Sequence, residues 1–332
     1  MPVDLRTKPP FPDQVDNTAR GDFVACPTKW MYGFLFSITG MAPNVHLHAG
    51  GAFAKGLEVA RLSFYRDGKS IGEAKRDGLE AIMVSYGNFV PAPTKTGDKS
   101  LENVIRAFDS YLQLYPLDRD RIKPFKTQDG KYMIEFTFSI PTEVKNPSTG
   151  NPILYSGRCD MIGEMNGNLW VTDEKTTGSL GESWADQWKL ESQFTGYCAA
   201  ARTYGFPVAG ALVRGVGLLK TKITHAEVIL SRHSWEIDRW WRQLHKDLRR
   251  MVQQYEEFDF DLAIAKGACS SYGGCGFTTL CESPEPARWL NQYRIRVWDP
   301  LAKDRGEHLS THPGAAYNMD SDNLEINIKD LM

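Results

Sequence analysis

No apolar run in this chain approaches the roughly 20 residues needed to cross a bilayer as a helix, so no membrane partner is expected. The opening residues Met1-Pro2-Val3-Asp4-Leu5-Arg6 lack the apolar stretch of a secretory signal, and a cytoplasmic location is the expectation. Neither sign of charge predominates: 39 Lys and Arg against 41 Asp and Glu give a formal net charge of -2. That balance neither advertises nor excludes nucleic acid, because an acidic site offsets local basic patches. A Gly-x4-Gly-Lys-Ser/Thr phosphate loop is absent, which argues against a nucleoside-triphosphate motor of that type in this sequence. Internal repeats and low-complexity tracts are absent too. Cysteine is scarce, with six in 332 residues. In a chain read as cytoplasmic this argues against a disulfide framework and towards metal or reactive chemistry. Cys159 and Cys198 lie in apolar segments and read as small core residues. Cys26, Cys269, Cys275 and Cys281 remain to be explained.

The length suits one large domain or a core with appended parts. The first twenty residues carry four prolines, and residues 1–22 read as an extended arm. A helix is predicted after Cys26-Pro27, running through Trp30, Met31, Phe34 and Leu35, since proline is favourable at the first helical position. Gly50-Gly51 opens a second, with Phe53, Leu57, Ala60, Leu62 and Phe64 at helical spacing. Two more follow over 71–86 and 101–115, with a Pro- and Gly-bearing loop over 89–98 between them. The period then changes. Ile134, Phe136, Phe138 and Ile140 alternate with Glu135, Thr137 and Ser139 in a strand over 132–140. Further strands are predicted over 153–164, 169–176, 209–218 and 223–230, with a helix over 185–204 between the third strand and the fourth. From Trp235 to Phe258 a long amphipathic helix carries an apolar stripe (Ile237, Trp241, Leu244, Leu248, Met251, Tyr255) and a basic one (Arg239, Arg242, Lys246, Arg249, Arg250). The order implies an α/β fold, a mixed central sheet flanked by helices.

The chemistry concentrates on the second and third strands. Gly157-Arg158-Cys159-Asp160 ends one, and Leu169-Trp170-Val171-Thr172 leads into Asp173-Glu174-Lys175 on the next, across Asn166-Gly167-Asn168. A hairpin brings the carboxylates and the ammonium to one spot. Carboxylate oxygens suit Mg²⁺ or Mn²⁺, and a metal with a lysine can activate water against a phosphodiester. A solvated hairpin end with a Lys–Glu pair is the other reading of the same residues.

The ordered set Glu135, Gly157-Arg158-Cys159-Asp160, Asp173-Glu174-Lys175-Thr176 and Gln193-Phe194-Thr195-Gly196-Tyr197 resembles the PD-(D/E)XK nuclease superfamily. The likeness is to its RecB-type branch, which includes CRISPR-associated adaptation nucleases and many phage exonucleases. It covers about 24–282 and is firmest over 132–197. The resemblance implies a restriction-endonuclease-like core over 130–232, within a nuclease domain over 23–283. A helical part (27–116) precedes the core, a basic helix and Cys-rich region (233–283) follows, and a tail (284–332) closes the chain. It implies Asp160 and Asp173 as metal ligands for Mg²⁺ or Mn²⁺, with the carbonyl of Glu174 completing the shell. Lys175 would orient water or stabilise charge on the scissile phosphate, and Gln193 with Tyr197, four apart on one helix face, would hold a DNA strand. The family places a histidine in its early helix, in a Gly-x-x-x-His-x-x-Leu-Glu pattern. Here Ala54 stands at that place in Gly50 to Glu58, and His46 or His48 just upstream is the substitute considered, with Glu135 a further candidate ligand.

Relatives carry one cysteine before the core and three after it around a [4Fe-4S] cluster, which implies Cys26, Cys269, Cys275 and Cys281 as its ligands, with zinc as the alternative and free buried cysteines as the plainer reading. Arg242 and Lys246, with Lys220 and Lys222, are candidate phosphate contacts; a solvated helix face is the plainer reading. The expectation is a Mg²⁺- or Mn²⁺-dependent deoxyribonuclease, an exonuclease on DNA ends or single strands, partnered by a separate helicase or recombination protein. If phage-encoded, it works in the host cytoplasm. A non-catalytic DNA-binding or assembly module on the same fold is the alternative, and an RNA-processing enzyme a third class.

Overall fold

The computed structural model describes residues 3–41, 44–91, 97–263, 267–270 and 274–302. Residues 303–332 of the expected tail, 92–96 of the expected loop and 271–273 of the Cys-rich region lie outside these.

Strand β1 (Gln14–Val15) leads into α1 (Asn17–Ala25), which begins inside the segment 1–22 expected to be an extended arm and runs past it. Asp16 caps this helix, accepting the Ala19 N–H at 2.7 Å. Helix α2 (Pro27–Trp30) begins at the expected proline and runs on as a π-helical turn, Met31–Leu35, before β2 (Ile38–Gly40). Helix α3 (Val45–Arg61) starts five residues before Gly50, because Asn44 accepts the N–H groups of His46 and Leu47. Helix α4 (Ile71–Tyr86) has a reciprocal capping box between Ser70 and Glu73, and α5 (Leu101–Leu114) is capped by Ser100.

The sheet follows: β3 (Lys123–Pro124), β4 (Ile134–Lys145), β5 (Pro152–Met165) and β6 (Asn168–Thr177), then α6 (Ser192–Thr203), β7 (Val208–Leu218) and β8 (Ile223–Ser231). Asn166 (φ 52°) and Gly167 (φ 74°) make the tight turn between β5 and β6, the left-handed pair that matches strand twist in a two-residue hairpin. Seven strands form one sheet, in the order β1-β5-β6-β7-β8 with β3 and β4 also paired to β5. Strand β6 pairs antiparallel with β5 and parallel with β7, and α6 is the crossover between the parallel pair.

Helices α3, α4 and α5 cover one face around Phe53, Leu57, Ile82, Phe108 and Tyr111, with Val216 and Leu218 of β7. On the other face α1, α6 and the long α7 (Ser234–Glu257) close over Phe138, Tyr155, Val171 and Val213. Leu244, Leu248 and Met251 of α7 are fully buried there, each worth about 1.5–3 kcal/mol in burial. The apolar stripe of α7 runs through Trp240 more than Trp241 and includes a charge, Asp247, which is 2% exposed. Asp247 is paired 2.8 Å from Arg20 of α1. Arg20 also donates to Ser192, and Trp240 Nε1 donates to the same hydroxyl at 2.9 Å, so α1 and α7 together seat the first turn of α6. Gly196 lets α6 lie directly on Tyr155, where any Cβ would collide with the phenol.

A satellite core of Tyr32, Phe36, Ile38, Phe277 and Leu280 ties the segment after α2 to the segment after the long α7. It contains α8 (Thr278–Cys281) and β9 (Tyr293–Ile295), which pairs antiparallel with β2. The first part of the expected tail is thus docked. Among the described residues no helix is long and apolar enough to cross a membrane.

Candidate active site

Alternation along β6 sends Asp173 and Lys175 to the face covered by α6 and Glu174 to the face covered by α3 and α5. Asp173 is 4% exposed, and the Lys175 ammonium stands 2.7 Å from its Oδ2. Lys175 Nζ also lies 5.7 Å from the centre of the Phe194 ring on α6. Beside them on α6, Gln193 Nε2 donates to the Tyr197 hydroxyl at 2.7 Å. Tyr197 is buried edge-on against Phe138, 6.0 Å between ring centres. The Gln–Tyr pair is therefore joined on the helix whose Phe194 meets the lysine.

Asp160, on β5, is half-buried, and its Oδ2 accepts the main-chain N–H of Glu174 at 3.0 Å. Burial, then the charges of Asp173, Glu174 and Glu135, push the Asp160 carboxyl well above the ordinary carboxylate range. Such crowding is costly for the bare protein and favourable for a bound divalent cation, which reverses the electrostatics of the site. Glu135 sits in the left-handed region (φ 56°), a strained setting for a non-glycine residue, and pairs with Arg158 at 2.7 Å. It is electrostatically part of the cluster, with its carboxylate shared with a guanidinium. Among the described residues no three His, Cys, Asp or Glu side chains already stand in a metal-holding arrangement. The donor set that fits Mg²⁺ or Mn²⁺ is Asp160 and Asp173, oxygen ligands with their charges unbalanced by each other.

Two of the named residues have other side-chain partners. The Glu174 side chain is turned away from Asp173 and Lys175: it is 3% exposed and binds Arg61 at 2.5 and 3.1 Å and the Tyr111 hydroxyl at 2.7 Å. Burial alone would raise its carboxyl, but Arg61 and Tyr111 outweigh that and hold it at about 2. What it retains for a cation is its main-chain carbonyl. His48 lies inside α3, in place of a loop before it, and its Nε2 is 2.9 Å from the Tyr86 carbonyl oxygen. Its ring packs 4.2 Å from that of Phe89. Helix packing thus turns His48 towards α4, and His46 is exposed. The structure gives His48 these partners on α4 and the loop after it.

Arg242 and Lys246 are exposed on the outer face of α7, while its inner face packs on β5 through Trp240 and Tyr155 at 4.9 Å. Lys220 and Lys222 are exposed in the turn between β7 and β8. Cys159 and Cys198 are fully buried, as their apolar settings required.

Cys26 closes α1, Cys269 and Cys275 are joined by a Cys275 N–H to Cys269 carbonyl bond of 2.9 Å, and Cys281 ends α8. None is in a disulfide. Burial, then the neighbouring thiols of Cys275 and Cys269, raise the Cys26 thiol. Cys281 is pushed up to about 11 by burial, then by Cys275, Cys26 and Cys269. The four thiols are thus within electrostatic reach of one another, although they start far apart in sequence.

The residues that sequence reasoning missed are Arg61, Tyr111 and Arg214. Arg61 interrupts the apolar face of α3, and Arg214 sits inside the apolar run Ala211-Leu212-Val213-Arg214-Gly215-Val216. A charge inside an otherwise buried stripe was the available signal.

Against known proteins, the description of the PD-(D/E)XK nuclease superfamily matches residues 19–282. The mixed sheet with helices on both faces is the restriction-endonuclease-like fold of that superfamily. No curated protein gives a significant match. Among solved structures the chain is similar to that of SSO0001, with 14% identity, a TM-score of 0.34, and coverage of 82% of this chain and 87% of that one.

Proposed function

The chain belongs to the PD-(D/E)XK nuclease superfamily, and from that premise we propose that it is a Mg²⁺- or Mn²⁺-dependent deoxyribonuclease acting on DNA ends or single strands. The observation that carries the reading is the half-buried Asp160, crowded by carboxylates, beside Asp173 and its lysine partner. A divalent cation held by Asp160 and Asp173 would polarise the scissile phosphate and make water a stronger nucleophile. Lys175 orients the attacking water or stabilises the charge that builds on the phosphate oxygens. Its 2.7 Å contact to Asp173 keeps the ammonium in place until substrate arrives. Gln193 and Tyr197 border the site and steady the strand, and the products are 5′-phosphate and 3′-hydroxyl ends. Arg242 and Lys246 add phosphate contacts at a distance from the chemistry.

A non-catalytic module would be favoured by Ala54, which leaves α3 without an imidazole. The joint presence of Asp160, Asp173 and Lys175 supports the enzyme. Linear duplex, closed circular and single-stranded DNA with labelled ends, beside an RNA of the same sequence, test the proposal. Exonuclease action predicts that linear and single-stranded DNA shorten from their ends while closed circles survive. Cleaved circles would make the enzyme an endonuclease, and cleavage of RNA alone would change the substrate class.

A structural [4Fe-4S] cluster on Cys26, Cys269, Cys275 and Cys281 completes the proposal. The effect of the other thiols on Cys26 and Cys281 supports it, as does the packing of Cys275 against the satellite core. Such a cluster would link residues over 240 positions apart in sequence and restrict the unfolded chain. Anaerobically purified protein is expected to be brown and to contain iron, and Cys281→Ser to lose both. A colourless wild type holding zinc would replace the cluster with the alternative metal. Similarity to phage exonucleases suggests a role in viral recombination or DNA degradation, with a separate helicase or recombination protein as partner.

A further inference from the structure

The strand that carries Asp173 and Lys175 is gripped from behind. Glu174, between them, sends its side chain through to the opposite face of the sheet, where the Arg61 guanidinium meets it with two nitrogens, at 2.5 and 3.1 Å. Arg61 and Arg214 both donate to the Tyr111 hydroxyl, at 3.3 and 3.2 Å, and that hydroxyl donates to Glu174 at 2.7 Å. Arg214 is the register partner of Glu174 on β7 and is itself held by Asp120 at 2.6 and 2.8 Å. A bidentate guanidinium–carboxylate pair fixes orientation as well as distance. The main chain of the same residue does a second job: the Glu174 N–H holds Asp160 Oδ2 at 3.0 Å. One residue therefore links the back network to Asp160 through its peptide and to Asp173 and Lys175 through its neighbours.

Helix α3 supplies the grip by its own geometry. Gly50 lets the helix approach β6 so closely that a Cβ there would stand 3.0 Å from Thr176 Oγ1. Thr176 and Glu174 share a face of β6, two residues apart. Ala54 and Arg61 are seven residues, or two turns, apart on α3 and so share a helix face. The helix that has no imidazole at Ala54 thus still reaches the site, two turns further on and through Glu174.

We propose that Arg61 is a positioning residue for the metal-binding carboxylates, acting by clamping Glu174 so that Asp160, Asp173 and Lys175 keep one relative geometry. The proposal rests on the nuclease reading above. Groups that orient metal ligands without touching the metal typically change affinity or activity by roughly 10–100-fold when removed.

The test measures Mn²⁺ binding to the full chain without DNA, from the electron paramagnetic resonance signal of free Mn²⁺. DNA affinity in EDTA and thermal unfolding are recorded alongside. Arg61→Met is expected to weaken Mn²⁺ binding by roughly 10–100-fold, to lower kcat, and to leave DNA affinity in EDTA unchanged. Tyr111→Phe, which removes one hydroxyl and little volume, is expected to shift Mn²⁺ binding in the same direction and by less. A folded Arg61→Met protein that binds Mn²⁺ as tightly as wild type overturns the proposal. If Arg61→Met does not fold, wild-type Mn²⁺ affinity in Tyr111→Phe overturns it. A wild type that neither binds Mn²⁺ nor cuts DNA overturns the nuclease reading and this one together. A wild type that does both, with variants that bind equally well, removes only the clamp.

Discussion

Lys175→Ala is expected to cut the rate of DNA hydrolysis by roughly 10²–10⁴-fold at saturating Mn²⁺, the usual cost of removing a group that moves a proton or stabilises an oxyanion. Asp173→Ala is expected to bring it to background. The two losses have different origins. Asp173 is 4% exposed and is one of the two carboxylates proposed to hold the cation, so its removal would take away the metal. It also strips Lys175 of its 2.7 Å partner. Lys175 touches no proposed cation ligand except through that contact, so its loss should leave Mn²⁺ binding in place. The expected kinetic signature is a fall in kcat with KM little changed, since the ammonium is proposed to act on charge that develops in the transition state. Single-turnover kinetics with excess enzyme separate these outcomes. Equal cleavage by wild type, Lys175→Ala and Asp173→Ala would place the activity elsewhere or in a contaminant.

Arg214→Met is expected to destabilise the protein by about 3–5 kcal/mol, the cost of breaking a buried ion pair from one side. Arg214 is 1% exposed and lies between two carboxylates, with Asp120 at 2.6 Å and Glu227 at 2.8 Å. Its guanidinium also covers the Tyr115 ring at 3.7 Å. Methionine fills much of the volume but leaves Asp120, Glu227 and the Tyr111 hydroxyl without their shared donor. Asp120 and Glu227 are 11% and 16% exposed, so they recover only part of their hydration, which is why the loss exceeds that of an exposed pair. Equilibrium unfolding in urea, monitored by far-UV circular dichroism, measures it as a fall in midpoint at unchanged slope. A midpoint equal to wild type would mean that water reaches this network freely.

Local rules carried much of the architecture. The Ser70–Glu73 capping box marks the start of α4 at the residue where the pattern placed it. Asn166-Gly167 gives the β5–β6 hairpin, because both residues tolerate positive φ. The errors came where a tertiary contact overrides propensity. Gly50-Gly51 reads as a helix start because glycine is disfavoured within helices. In the fold it lies inside α3, where its missing side chain admits Thr176. Residues 185–191 have helical spacing, yet form a short 3-10 turn at Asp186–Trp188, since Glu191 caps α6 at Ser192. Helix α1 was hidden by the prolines before it and by an apolar face reduced to Ala19 and Phe23. At the site, Asp160, Asp173, Lys175, Gln193 and Tyr197 were legible as a set because their order and spacing repeat a known pattern. The clamp behind them was not. Arg61 and Glu174 are 113 residues apart, and no local rule pairs an arginine on one helix with a glutamate on a distant strand.

The most direct test of the central claim is a time course of linear duplex DNA, labelled at one end, with the purified full chain and Mn²⁺. The account predicts release of 5′-phosphorylated products that stops when EDTA is added and is absent in Asp173→Ala. Intact DNA after prolonged incubation with folded wild-type protein, in Mg²⁺ and in Mn²⁺, would contradict it.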